Sequence, residues 1–118
     1  MIKIVVNCIP PSNNKYLGNS HSFHSYANTK TQWHWMIKAA IKNKPIKPLE
    51  KARVHIRYYF KNRIRRDPDN YSGKMILDPL VREGILKDDS FGCVTLELSC
   101  GYDKENPRTE IYVEEIKA

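Results

Sequence analysis

Several absences narrow the class of this chain before any motif is sought. Its 118 residues contain no run approaching the roughly 20 consecutive apolar positions that a membrane span needs. The opening Ile2-Lys3-Ile4-Val5-Val6 has no signal-peptide pattern, so a soluble, cytoplasmic protein is expected. Cysteine is scarce: Cys8, Cys93 and Cys100 are odd in number and widely spaced, which argues against a disulfide framework or a zinc site and for small core hydrophobes in a reducing compartment. Glycine-rich phosphate loops, a Walker lysine pattern and Gly-x-Ser-x-Gly are all missing, which disfavours an NTPase or a serine hydrolase. Acid is nearly absent from the first 66 residues, where 14 Lys/Arg face only Glu50, whereas residues 67–118 carry 12 acids against 6 bases. The net charge of +7 is thus a basic half joined to an acidic one, and a basic half suits a polyanion because each neutralised phosphate releases counterions.

What is present reads as one domain over 1–118 with one modest core. Residues 2–9 alternate as a strand, ended by Pro10-Pro11-Ser12-Asn13-Asn14. A polar loop follows to Asn28, long enough to suspect of function. From Thr29 to Lys42, Trp33, Met36, Ile37, Ala40 and Ile41 share one helix face, with Trp35 nearly opposite as a candidate dimer or DNA contact. Val54, Ile56, Tyr58 and Phe60 recur at every second position as the buried side of a strand, with Arg53, His55, Arg57 and Lys61 on the other. Ile76, Leu77, Leu80 and Val81 mark a second helix, capped by Asn70, closed by Gly84 and expected to kink or restart at Pro79. Two strands, near 93–99 and 109–116, complete a βαβαββ order. The expected fold class is therefore α+β: about four strands in one mixed sheet, packed by two helices.

The chemistry concentrates between residues 61 and 90. Lys51 to Arg66 holds seven Lys/Arg and no acid, and it ends on Arg65-Arg66-Asp67-Pro68-Asp69-Asn70. In an extended segment Asp67 and Asp69 would point to one side and could reach one ion, with Pro68 stiffening the link. A return of the chain would bring Asp88-Asp89 beside them, gathering three or four carboxylates. Such acids repel unless a hard divalent cation such as Mg²⁺ joins them, and Mg²⁺ shared with a phosphate positions a water for attack on phosphorus. Lys61, Arg63, Arg65 and Arg66 would grip the flanking phosphates. Taken singly, any of these acids reads more simply as a turn or helix cap.

Arg-Arg-Asp-Pro-Asp-Asn at 65–70, Lys74, Asp78, Lys-Asp-Asp-Ser at 87–90 and Pro-Pro-Ser-Asn-Asn-Lys-Tyr at 10–16 together resemble the RusA family of Holliday junction resolvases. That resemblance implies a dimeric, Mg²⁺-dependent endonuclease, often prophage-borne, in which Mn²⁺ substitutes and four-way DNA junctions are cut by paired symmetrical nicks. It implies Asp67, Asp69 and Asp89 as metal-binding carboxylates, Asp88 and Asp78 as supporting acids, Lys74 as the essential lysine, and Asn13, Asn14 and Lys15 as DNA contacts. Lys74 stands five residues after Asp69, one more than the family pattern, so it reaches the site only if the helix begins late or bulges. The loop after Asn14 is poorer in arginine than a resolvase would have, with Phe23 and Tyr26 available for stacking, while His21 and His24 lack a third zinc ligand nearby. Two alternatives stand beside this reading: a non-cleaving DNA-binding protein of a mobile element, and a nuclease preferring flaps, forks or RNA.

Overall fold

The computed structural model describes residues 1–12 and 22–117. Its elements follow the expected order: β1 (Ile2–Val6), α1 (Ser22–Ala40), β2 (Ala52–Phe60), a 3₁₀ turn (Pro68–Asn70), α2 (Lys74–Arg82), β3 (Val94–Tyr102) and β4 (Arg108–Glu115). The four strands form one mixed sheet in the order β1-β4-β2-β3. β4 runs antiparallel to both β1 and β2, while β2 and β3 are parallel, with Ala52 opposite Val94 and Phe60 opposite Tyr102. The parallel pair requires a crossover, and α2 lies within it.

Period-two burial in β2 sets the layers. Val54, Ile56, Tyr58 and Phe60 are buried and form one core with Ile4, Ile111 and Val113 of the sheet and Trp33, Ile37, Met75, Ile76 and Leu80 of the helices. The opposite face carries a polar ladder. His55 Nε2 and Ser99 Oγ share a hydrogen bond at 2.6 Å, Arg57 donates to Ser99 at 3.2 Å, and Arg108 donates to Glu110 and Asp103, each at 2.7 Å. Burial pushes the Glu110 carboxyl up, but hydrogen bonds from Tyr112 and Arg108 leave it below the usual carboxylate range. The same bond to Glu110 raises the Tyr112 phenol to about 12.

Several expectations are corrected here. α1 begins at Ser22, seven residues earlier than the Trp33 to Ile41 periodicity indicates. Trp33 and Ile37 are buried and Met36 packs against the core, whereas Trp35, 61% exposed, faces outward. Cys100 is exposed on the edge strand, not in the core. α2 runs through Pro79 without restarting; the proline lies in its second turn, where its own burial offsets one missing backbone bond. Gly84, at φ 79, does close the helix, with Ile85 N donating to Leu80 O at 2.9 Å and Gly84 N to Val81 O at 3.1 Å, a Schellman motif.

Candidate functional site

β2 ends at Phe60, whose carbonyl accepts from Asp103 N at 2.8 Å, and the basic run then leaves the sheet. Arg66 folds back over this segment, its guanidinium donating to Asn62 Oδ1 at 2.8 Å and Ile64 O at 2.9 Å while lying 4.0 Å from the Phe60 ring centroid. Arg63 stacks on Tyr102 at 4.5 Å. Both cations are therefore partly spent on shaping the loop. Lys61 and Arg65 are exposed, Arg65 at 89%, and Arg65 reaches Asp67 at 3.4 Å. Asn13, Asn14, Lys15 and His21 lie outside the described residues, as do the side chains of Phe23, His24 and Tyr26.

The acidic pair is carried by a turn, not by an extended segment. Asp67 is extended (φ −105, ψ 140), but Pro68 opens a 3₁₀ turn that contains Asp69, closed by Asn70 N to Asp67 O at 3.0 Å and Tyr71 N to Pro68 O at 3.1 Å. Strand parity therefore does not align the two carboxylates, and both are exposed on the turn. Asn70 ends this turn and does not cap α2, whose N-cap is Gly73 at φ 81 with no side-chain cap. Lys74 is the first residue of α2, so the regular helix begins only after the break at 71–73.

The second pair sits elsewhere. Lys87 N donates to Leu49 O at 2.9 Å, and Ala52 N to Cys93 O at 2.8 Å, which fixes the 87–93 segment at the start of β2. Asp67, by contrast, lines a pocket with Tyr58 and Phe60 of β2 and Leu98 and Cys100 of β3. From Ala52 to Tyr58 the strand advances roughly 20 Å at about 3.3 Å per residue. The return of the chain through α2 thus carries Asp88 and Asp89 past the first pair to the opposite end of β2, and the expected convergence does not form within one chain. Among the described residues, no group of three His, Cys, Asp or Glu side chains could hold a metal ion. Hydrogen bonds from the Ser90 side chain and the Asp89 amide hold the Asp88 carboxyl below its ordinary range, so Asp88 is engaged in its own turn. Asp78 bridges the helices, 3.0 Å from Arg82 and 3.9 Å from Lys30. A second clamp joins Glu83 to His34 at 2.8 Å and Lys44 at 3.2 Å.

Asp67 and Asp69 are both exposed, and their carboxylates are hard oxygen donors of the kind that Mg²⁺ takes one or two of, with water and phosphate completing its shell. Sequence reasoning missed the apolar pocket beside Asp67, because Tyr58 and Phe60 read there only as the buried side of a strand and nothing singled out Tyr71 or Leu98. Tyr58 is 3% exposed, and its buried hydroxyl makes no hydrogen bond of normal geometry, although the Gly73 backbone approaches it.

Comparison with curated proteins gives no match. A family model described as endodeoxyribonuclease RusA matches residues 8–114, spanning β2, the acidic turn, α2, the second acidic pair and β3 and most of β4. By that match, the chain belongs to the RusA endodeoxyribonuclease family.

Proposed function

We propose that this chain is a Mg²⁺-dependent endonuclease that resolves four-way DNA junctions as a homodimer, by paired symmetrical nicks. The observation that carries the reading is the pair Asp67 and Asp69 on one exposed turn, at the end of a cationic run, in a chain of a nuclease family whose members depend on divalent metal and act on branched DNA. Asp67 and Asp69 would hold the cation, which when bound polarises the phosphodiester and acidifies an attacking water. Lys61 and Arg65 would fix the phosphates beside the scissile bond, and Lys74, at the head of α2, would face negative charge developing there.

The separation of the two acidic pairs favours a particular dimer. One chain presents Asp67 and Asp69 at one end of β2 and Asp89 at the other, so a two-fold arrangement in which each site takes Asp89 from the partner subunit supplies three carboxylates twice over. A four-way junction, with its own approximate two-fold symmetry, needs two related cuts.

The test is cleavage of a synthetic four-way junction, a flap, a linear duplex and an RNA hairpin under the same salt, with Mg²⁺ and with EDTA. Metal-dependent cutting of the junction at two symmetrical points, well above the other substrates, is expected. Cutting of flaps or RNA in preference would replace the resolvase reading with another nuclease; binding without cutting would leave a DNA-binding module.

A further inference from the structure

Beside Asp67 the surface opens into a pocket of about 260 Å³. Its walls are Tyr58, Phe60, Pro68, Tyr71 and Leu98. The three aromatic rings form one cluster: Phe60 meets Tyr71 edge to face at 5.2 Å between centroids, Tyr58 meets Tyr71 at 5.7 Å, and Tyr58 meets Phe60 at 6.0 Å. Arg66 lines the same pocket, spread over Phe60, and Asp67 stands beside it. An apolar, aromatic-walled opening is an unusual neighbour for two ionised carboxylates and a cationic run. Water gains little there, and a charged phosphate has no place inside it.

The pocket is smaller than the roughly 300–1,000 Å³ of clefts that hold drug-sized ligands, so it has room for a single planar ring system. A nucleobase is such a ring: its π face can lie against the half-buried Tyr71 and the Arg66 guanidinium, over an apolar floor in which Tyr58 and Phe60 are 3% and 6% exposed. Its own backbone then supplies the phosphates that Lys61 and Arg65, on the same loop, are placed to neutralise. A base enters only if unstacked, and the branch point of a junction is where unstacking costs least.

We propose that this pocket receives one unstacked base of the cut strand, adjacent to the scissile phosphate, and so acts as the subsite that selects where the strand is cut. The inference rests on the nuclease reading above for the location of the cut, but not for the binding of the base. Recognition there is by shape and stacking, which seats the phosphodiester next to Asp67 only when the neighbouring base is out of the helix. A duplex, whose bases stay stacked, leaves the pocket empty and the phosphate out of position.

The experiment separates the two readings. Junctions in which each nucleotide near the branch point is in turn made abasic keep every phosphate and lose one base. Without divalent metal, where no cleavage occurs, one abasic position should weaken binding to the wild-type chain on the order of tenfold, the scale of one lost stacking contact. Cys100→Trp, which fills the pocket from an exposed strand position, and Tyr71→Ala, which removes a stacking face, should each weaken binding to the intact junction and erase the difference at that position. With Mg²⁺, the same abasic position should slow or displace the wild-type cut. Equal affinity for all abasic junctions overturns the pocket while leaving the nuclease reading standing. A base-dependent affinity with no cleavage upholds the pocket and removes the nuclease reading. Cys100→Trp that turns a DNA-free dimer into monomers assigns the pocket to a second copy of the chain and overturns the proposal.

Discussion

At the scale of single residues, the acids divide by what already engages them. Asp88 accepts from Ser90 and the Asp89 amide, Asp78 is held between Lys30 and Arg82, and Asp67, 3.4 Å from Arg65, lies with Asp69 on the exposed turn that follows the cationic run. Changing Asp67, Asp69 or Asp89 to Asn should therefore lower the single-turnover cleavage rate by about 100-fold or more, the loss of a bound Lewis acid, with junction affinity little changed. Asp88→Asn and Asp78→Asn should be milder in the same assay; an equal loss at Asp88 would move the ligand role within the pair. The cations divide in the same way. Lys61→Ala and Arg65→Ala together should flatten the salt dependence of junction binding by about 1–2 in log–log slope. Arg66→Ala should instead loosen the loop it ties to Asn62 and Ile64, a change visible as lower thermal stability more than as an altered slope.

At the scale of elements, the placement of Lys74 depends on the glycine before it. Gly73 adopts φ 81, and a Cβ there would stand 2.6 Å from Ile56 Cδ1 in the middle of β2. Gly73→Ala should cost at least about 1–2 kcal/mol and lower the melting temperature by roughly 5 °C or more. The clamp between α1 and α2 makes a pH prediction. Burial raises the Glu83 carboxyl, but hydrogen bonds from His34 and Lys44 outweigh it and hold the group below its ordinary value of 4.5. Below that value the unfolded chain binds protons that the folded chain refuses, so this contribution is fully present at neutral pH and is lost as pH falls through the folded value. Urea midpoints measured from neutral pH downward should fall less steeply for Glu83→Gln than for the wild type.

Much of this layer was legible in advance, for identifiable reasons. The alternation of Val54, Ile56, Tyr58 and Phe60 and the helical spacing of Trp33, Ile37 and Ala40 are direct imprints of burial, and Gly84 marks a left-handed residue that other side chains avoid. The start of α1 was hidden because Ser22, Ser25 and Asn28 there have the composition of a loop. The acidic motif could be read as a set of residues but not as a geometry. Strand parity was the wrong rule for Asp67 and Asp69, because a 3₁₀ turn begins between them, and only the parallel pairing of β2 and β3 reveals how far Asp89 lies from them. The aromatic pocket was invisible for a related cause: a residue lining an opening has the same sequence signature as one filling a core.

At the scale of the whole molecule, one chain offers half of what a symmetrical junction requires. Its basic residues crowd into one half of the sequence, its two acidic pairs stand at opposite ends of β2, and β1 and β3 form the two edges of the sheet. Sedimentation at micromolar concentration should give about twice the 13.8 kDa chain mass. The most direct test mixes two inactive proteins. Chains carrying Asp69→Asn and chains carrying Asp89→Asn are denatured together, refolded and given a junction with Mg²⁺. If each site draws Asp89 from the partner subunit, a mixed dimer contains one site with both changes and one site with neither. Nicking should return to roughly a quarter of the wild-type rate, because half of the dimers are mixed and each has one intact site. Continued inactivity of refolded mixed dimers, with each parent still binding the junction, would contradict the shared site and return all three carboxylates to a single chain.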